Sequence, residues 1–100
     1  MDSVTESTIS EADIEAVVRR DFAEPDVAAV SALLATYGVE PHERDAKTIR
    51  LALLRLVNGD RTALVRWVAW AKLDWRDVLA AVHQTYGHFW AAPFLVAGKP

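Results

Sequence analysis

The chain has 100 residues, of which 52% are hydrophobic and 25% are charged, and its net charge is −3. This length and composition indicate one globular domain and argue against a disordered chain or a second domain. The absence of cysteine excludes disulfide bonds and thiolate metal ligands. Because no secretory signal opens the sequence and no apolar stretch is long enough to cross a membrane, we expect a cytoplasmic protein.

The first two helices are predicted from apolar spacing and proline. Residues 1–9 contain few large apolar groups, so we expect a flexible N-terminus followed by a helical domain over residues 10–87. Ser10 is a suitable N-cap for the first helix. That helix must end before Pro25, which suits the first turn of a second helix ending at Gly38.

Three further helices follow. The third is predicted from Pro41 to Val57, with a core side of Ala46, Ile49, Leu53, Leu56 and Val57 and an outer stripe of Arg44, Thr48, Leu51 and Arg55. Asp60 caps the fourth helix, and Asp74 with Asp77 resembles a capping box at the start of the fifth, which Gly87 ends.

The segment 88–100 is strongly apolar but contains Pro93, so we expect an extended or short helical arm. Its aromatic residues must pack either on the arm's own bundle or on a neighbouring subunit. No stretch shows the sustained alternation of a strand. The sequence therefore predicts an all-α fold, a compact bundle of about five helices with an apolar C-terminal arm.

The fourth helix is apolar almost all round, which is typical of a helix that is central to a domain or covered by a second chain. The 100° helical step places Trp67 on the core side and Trp70 at the edge of the apolar face. All four tryptophans can be ordinary core or boundary residues. Alternatively, an interface with a second chain is formed by Trp70, Phe89, Trp90, Phe94 and Leu95.

Asp21 and Arg50 each fall within the apolar arc of a predicted helix, and neither has an opposite charge three or four positions away. A lone buried charge is costly. We therefore expect the two residues to approach each other, or other polar groups, where the first and third helices meet. In the alternative, the helix ends direct both side chains into solvent.

The residues of catalysis and metal binding have no recognisable pattern in this sequence. His83 and His88 are five residues apart, which separates them by about 140° on a continuous helix and argues against a metal site. No nucleophile stands beside an evident activating base. We expect structural or solvated histidines, no cofactor, no metal and no catalytic residue.

Basic residues are concentrated in the middle of the chain. Residues 1–40 carry nine acidic residues against two arginines, whereas residues 41–73 carry seven basic residues against three acidic ones. A nucleic-acid surface on the third helix would use Arg44, Lys47, Arg55 and Arg61. The overall acidic charge argues against phosphate binding, and Arg44 and Lys47 stand where a helix-turn-helix would bury apolar groups.

The segment from Leu51 to Val82, LALLRLVNGDRTALVRWVAWAKLDWRDVLAAV, resembles an uncharacterised group of small bacterial helical proteins. The shared features are Gly59 and Asp60, the positions Leu64, Val68 and Ala71, and the run Asp74, Trp75, Arg76, Asp77, Val78, Leu79 and Ala80. The resemblance covers about a third of the chain and implies a bacterial, cytoplasmic helical protein of unknown activity. It brings no functional residues.

These observations favour a non-enzymatic helical interaction module, either a homodimer or a subunit that docks on another protein through the fourth helix and the C-terminal arm. One alternative is a small regulatory nucleic-acid-binding protein that uses the third helix. Another is a helical ligand-binding protein or enzyme with an aromatic pocket, which would require a deep apolar pocket containing a convergent polar group.

Overall fold

The computed structural model describes residues 9–96, except for the side chain of Val96. These described residues form six helices: α1 (Glu11–Asp21), α2 (Glu24–Ala35), α3 (Ala46–Val57), α4 (Arg61–Leu73), α5 (Trp75–Tyr86) and α6 (Ala91–Val96). No strand occurs between residues 9 and 96, and the prediction of an all-α bundle is confirmed. None of the described helices is long and apolar enough to span a membrane.

The start of α1 is fixed by a capping box. The Ser10 hydroxyl accepts a hydrogen bond from the Asp13 N–H at 3.0 Å, and the Asp13 carboxylate accepts one from the Ser10 N–H at 3.1 Å. Ile9 and Ile14 flank this box in the positions of a hydrophobic staple, and both are buried. Ile9 therefore belongs to the domain rather than to the flexible N-terminus that we predicted; residues 1–8 lie outside the described part.

Helix α3 begins at Ala46, five residues later than predicted. Residues 41–45 form a turn and loop instead. The Glu43 side chain points back along the chain, and its carboxylate accepts hydrogen bonds from the backbone N–H groups of residues 38–40. Asp45, which precedes the helix, is in the left-handed conformation with φ of 54°. His42, predicted in the first helical turn, consequently lies in the loop.

The central helix is α3, so the first of the two alternatives for α4, a position at the centre of the domain, is not the arrangement found. Helix α3 contacts α1, α4, α5 and α6, and its buried residues are Thr48, Ile49, Leu51, Ala52, Leu53, Leu54 and Val57. Thr48 and Leu51, predicted on an outer stripe, are thus in the core. We inferred the outer stripe from the positions of the arginines. A long arginine side chain can, however, extend from the edge of a buried helix so that its charged group reaches solvent or another polar partner.

The α4–α5 junction differs from the predicted capping box. The Asp74 carboxylate caps α5 by accepting from the Arg76 N–H at 3.1 Å. The Asp77 carboxylate instead accepts a hydrogen bond from the indole of Trp70 at 3.1 Å. Asp77 therefore connects the end of α4 to the first turn of α5 through side chains.

Residues 88–96 of the C-terminal arm pack on the arm's own bundle. Trp90 and Phe94 join the core at 5% exposure each, and α6 contacts α3. The backbone carbonyl of Phe94 accepts a hydrogen bond from Nη1 of Arg20 at 2.7 Å, which attaches the arm to the end of α1. Of the predicted arm, residues 97–100 lie outside the described part.

Candidate functional site

The outer side of α4 is unusually apolar for a surface helix. Its core side consists of Leu64, Val68 and Ala71. On the opposite side, Val65, Trp70 and Leu73 are 53%, 50% and 79% exposed, and Ala69 between them is also exposed. We call these four residues, Val65, Ala69, Trp70 and Leu73, the α4 face. Large exposed apolar groups concentrated on one side of a helix are typical of interaction sites.

A cleft of about 450 Å³ adjoins the α4 face and is lined by Arg66, Trp67, Trp70 and Asp77. The hydrogen bond from Trp70 to Asp77 holds the indole over this cleft. No described residue forms an ion pair with Arg66 or Asp77. The α4 face is therefore bordered by one positive and one negative side chain.

The other predicted interface residues lie elsewhere. Trp90 and Phe94 are core residues, and Leu95 is partly buried against the core. Phe89 is 92% exposed, but it lines a different cleft, between α6 and the ends of α1, α3 and α5. Among residues 9–96, the Trp70 cleft is lined only by residues of α4 and α5. Residues 88–96 of the arm therefore do not share this cleft with Trp70.

The best-formed polar site is centred on Glu43, whose side chain is 1% exposed. Its Oε1 accepts hydrogen bonds from the backbone N–H groups of Gly38, Val39 and Glu40 at 2.8, 3.0 and 3.3 Å. Its Oε2 accepts from Nζ of Lys72 at 2.8 Å. Burial alone raises the pKa of Glu43, but these four hydrogen bonds outweigh burial and lower it to about 2.

Lys72 and Arg50 together satisfy the C-terminal end of α2, which has no basic residue in its own last turn. Lys72 donates to the Thr36 carbonyl at 2.8 Å. Arg50 donates to the Leu34 carbonyl at 3.1 Å and to the Tyr37 carbonyl at 2.7 Å. These contacts place positive charge at the negative end of the helix dipole.

Tyr37 completes this cluster from inside the core. It is fully buried, and its hydroxyl donates to the Arg44 carbonyl at 2.7 Å. Burial raises the pKa of Tyr37 to about 12, with the negative charges of Glu43 and Asp45 acting in the same direction and Arg50 opposing them. No buried side-chain polar atom of residues 9–96 lacks a partner. The cluster is thus a satisfied structural network rather than a reactive site.

Asp21 and Arg50 do not pair with each other. Asp21 forms a two-point ion pair with the adjacent Arg20, at 2.8 and 3.2 Å. Arg50 lies 3.6 Å from the carboxylate of Glu11 on α1, besides its contacts with α2. Each charge is partly buried and has a polar partner, so direct approach of the two predicted residues is not the arrangement found.

The four basic residues of the nucleic-acid alternative have different environments. Arg44 is exposed and Lys47 partly buried. Arg61 forms an ion pair with Asp26 at 2.9 Å. The guanidinium of Arg55 lies over the ring of Tyr86, 3.5 Å from the ring centroid. Two of the four are therefore engaged within the protein.

His83 and His88 lie close together, because the separation of about 140° holds only for a continuous helix and the helix ends between them. The rings of His83 and His88 lie 4.4 Å apart because α5 ends at Tyr86 and the chain turns at Gly87. Burial, and then the neighbouring His88, lower the pKa of His83. Among residues 9–96, no group of three or more histidine or acidic side chains could hold a metal ion.

Sequence reasoning missed the Glu43 network and the Arg55 stack. Glu43 was assigned to a helical turn, although it stands three to five residues after the turn at Gly38, a spacing that lets a carboxylate bind that turn's N–H groups. Residues 9–96 thus form a small all-α domain in which α4 has an exposed apolar face. No family model matches the chain, and no significant match exists among curated proteins or solved structures.

Proposed function

We propose that this protein is a helical interaction module and that two copies associate through their α4 faces. The observation that carries the proposal is the exposure of Val65, Trp70 and Leu73 on the solvent side of a helix whose other side is already buried. Such apolar surface remains in contact with water in the single chain. Its burial against a partner would contribute a favourable transfer free energy of about 25 cal/mol per Å², which the loss of translational and rotational freedom on association partly offsets.

A second copy fits this surface because the surface has one positive and one negative side chain, which can pair with the opposite charges of an identical surface. A twofold interface brings the same patch of both subunits together, so a residue i of one contacts residue j of the other. Arg66 and Asp77 border the face with opposite charges and have no ion-pair partner among the described residues. In an antiparallel pairing of two α4 helices, Arg66 of one copy meets Asp77 of the other.

The small side chain of Ala69 favours close approach of the two helices. It lies between Val65 and Leu73 at helical spacing of four residues, so these side chains form one row along α4. Helices with small residues at their contact approach to the short end of the usual 8–10 Å range. We further propose a cytoplasmic location, which is consistent with the absence of cysteine.

Sedimentation equilibrium over a range of protein concentrations tests the proposal, with Ala69→Lys as the disrupting variant. Lysine at the centre of the α4 face would introduce bulk and an unpaired charge, and we expect its dimer dissociation constant to rise about tenfold or more. Ala32→Lys is the matched control, because Ala32 is an exposed alanine of α2 outside the face. The control should leave self-association unchanged.

Charge reversal tests the geometry of the pairing. Arg66→Glu and Asp77→Lys should each weaken the dimer, and the double variant should recover part of the loss if these residues meet across the interface. The proposal would be contradicted if the wild-type protein stayed monomeric up to about 1 mM. A dissociation constant of that size corresponds to an association free energy of only about 4 kcal/mol. Equal weakening by Ala69→Lys and Ala32→Lys would also contradict the proposal. If the protein bound another protein but did not self-associate, the proposed dimer would be wrong and the partner of the α4 face would be that other protein.

A further inference from the structure

A second cleft, of about 480 Å³, lies between the arm and the ends of α1, α3 and α5. Its polar lining includes Arg20, Asp21, Arg55 and Asn58, and its aromatic lining includes Tyr86 and Phe89. Nothing in the structural network around Glu43 involves these residues. The cleft combines an apolar wall with converging polar groups, which is the usual composition of a small-molecule site.

Arg55 differs from the other polar residues of this cleft because its guanidinium contacts two aromatic rings. Its guanidinium carbon lies 3.5 Å from the ring centroid of Tyr86 and 5.2 Å from that of Phe94. Although Arg55 is partly buried, no residue between 9 and 96 forms a hydrogen bond or ion pair with its guanidinium. The rings restrain the group through its faces and leave the N–H donors at its edge available for a ligand.

The neighbouring Arg20 is occupied in a different way. Nε and Nη2 of Arg20 pair with Asp21, and Nη1 donates to the Phe94 carbonyl. Asp21 therefore neutralises Arg20, and among the described lining residues the remaining charge of the cleft is the single positive charge of Arg55. A ligand with one negative charge would balance it, whereas a dianion would also be repelled by Asp21.

We propose that this cleft binds a small aromatic monocarboxylate, with the carboxylate on the guanidinium edge of Arg55 and the aromatic ring against Phe89. A carboxylate matches the planar guanidinium fork with two parallel hydrogen bonds. Phe89 is 92% exposed beside the cleft and offers an aromatic face for stacking. The proposal is independent of self-association, because the cleft shares no residue with the α4 face.

Phenylacetate is the probe for the test, and phenylacetamide, which has nearly the same shape but no charge, is its ligand control. Binding is measured by NMR as saturable shifts of the Arg55 Nε–H, the Asn58 side-chain amide and the Trp90 indole N–H. We expect saturation by phenylacetate with a Kd of about 1 mM or tighter, since the probe has few atoms. Phenylacetamide should bind about tenfold more weakly or worse.

Arg55→Gln should reduce the affinity for phenylacetate about tenfold or more, and Arg55→Lys should also reduce it because lysine retains the charge but not the planar fork. Arg44→Gln, at an exposed arginine outside the cleft, is the matched control and should leave binding unchanged. Phe89→Ala should weaken phenylacetate but not acetate, which has no ring to stack.

Three results would overturn the assignment: no saturable shift with phenylacetate, equal binding of phenylacetamide, or equal binding to wild-type and Arg55→Lys protein. Tighter binding of phenyl phosphate than of phenylacetate would also overturn it, because the single positive charge favours a monoanion. The comparison of the two probes on wild-type protein keeps the proposal testable if the Arg55 variants fail to fold. Ala69→Lys should leave phenylacetate binding intact, which separates this site from the proposed dimer.

Discussion

Nζ of Lys72 lies 2.8 Å from Oε2 of Glu43, although the two residues are 29 positions apart in the sequence. This ion pair joins the last turn of α4 to the loop between α2 and α3. Since Lys72 also donates to the Thr36 carbonyl, one ammonium group connects the end of α4, the end of α2 and the intervening loop. Removal of either partner would leave a buried charge or several buried N–H groups without compensation.

Glu43 is expected to make stability depend on acid pH. Its pKa is about 2 in the folded protein and 4.5 in the unfolded chain, so between these values the unfolded state binds more protons. Glu43 therefore contributes fully to the free energy of unfolding above about pH 5, and this contribution is lost as pH falls toward 2. A pKa shift of this size corresponds to about 3 kcal/mol. Urea unfolding at a series of pH values measures it.

Glu43→Gln provides the comparison that isolates this carboxylate from the others. At pH 7 the variant should be less stable by about 3 kcal/mol, because Lys72 loses its partner. The difference in free energy of unfolding between the two proteins should shrink as pH falls from 5 to about 2, where wild-type Glu43 becomes protonated. A difference that does not change with pH would show that Glu43 carries no shifted pKa.

Arg50→Lys is expected to destabilise the end of α2. Arg50 uses Nε and Nη2 to contact two carbonyls, of Leu34 and Tyr37, in a fork that lysine cannot reproduce. Loss of one charged hydrogen bond corresponds to about 1.5–3 kcal/mol in the free energy of unfolding. Arg44→Lys, on an exposed arginine, should change stability by less than about 0.5 kcal/mol. Similar effects of both substitutions would contradict the helix-end role of Arg50.

The helices could be predicted from sequence because their signals are local. Ser10, Asp60 and Asp74 act as N-caps, as their residue types and positions indicate. The start of α3 was predicted too early for two reasons. Glu43 binds the N–H groups of the preceding turn, which is a local signal that sequence reasoning missed, and Lys72 of a distant helix holds its other carboxylate oxygen. Local spacing contains no information about the second, long-range contact.

The candidate sites were predictable to different degrees. The exposure of Trp70 follows from the helical step, which places it at the edge of the apolar face. The Arg55 stack does not follow, because it requires Tyr86 and Phe94 to be brought beside α3 by the fold. His83 and His88 approach only because the helix ends between them, so a projection that continues the helix separates them.

Gly59→Ala should be more destabilising than a substitution at its neighbour. A Cβ at Gly59 would lie 2.9 Å from the backbone carbonyl oxygen of Asp21, and the residue has φ of +83°. Asn58 also has positive φ, 51°, but already carries a side chain. Gly59→Ala therefore introduces left-handed strain of about 1–2 kcal/mol together with the clash, whereas the side chain of Asn58 already bears most of that strain in the wild-type protein.

Thermal unfolding of the two alanine variants measures the difference. We expect Tm to fall further for Gly59→Ala than for Asn58→Ala, by about 4–8 °C for each additional kcal/mol in a domain of this size. Equal losses would mean that the turn can move away from α1 without cost. In that case the close packing of the α3–α4 turn against Asp21 would not depend on glycine at position 59.

Trp90→Ala and Phe89→Ala test whether the arm is part of the core. The two aromatic residues are adjacent, yet Trp90 is 5% exposed and Phe89 is 92% exposed. Trp90→Ala should lower the free energy of unfolding by about 3–5 kcal/mol, because it removes a buried aromatic side chain and leaves a cavity. Phe89→Ala should change it by less than about 0.5 kcal/mol. Urea unfolding measures both. If the two variants are equally stable, the arm does not pack on its own bundle, and Trp90 is then available to a second chain.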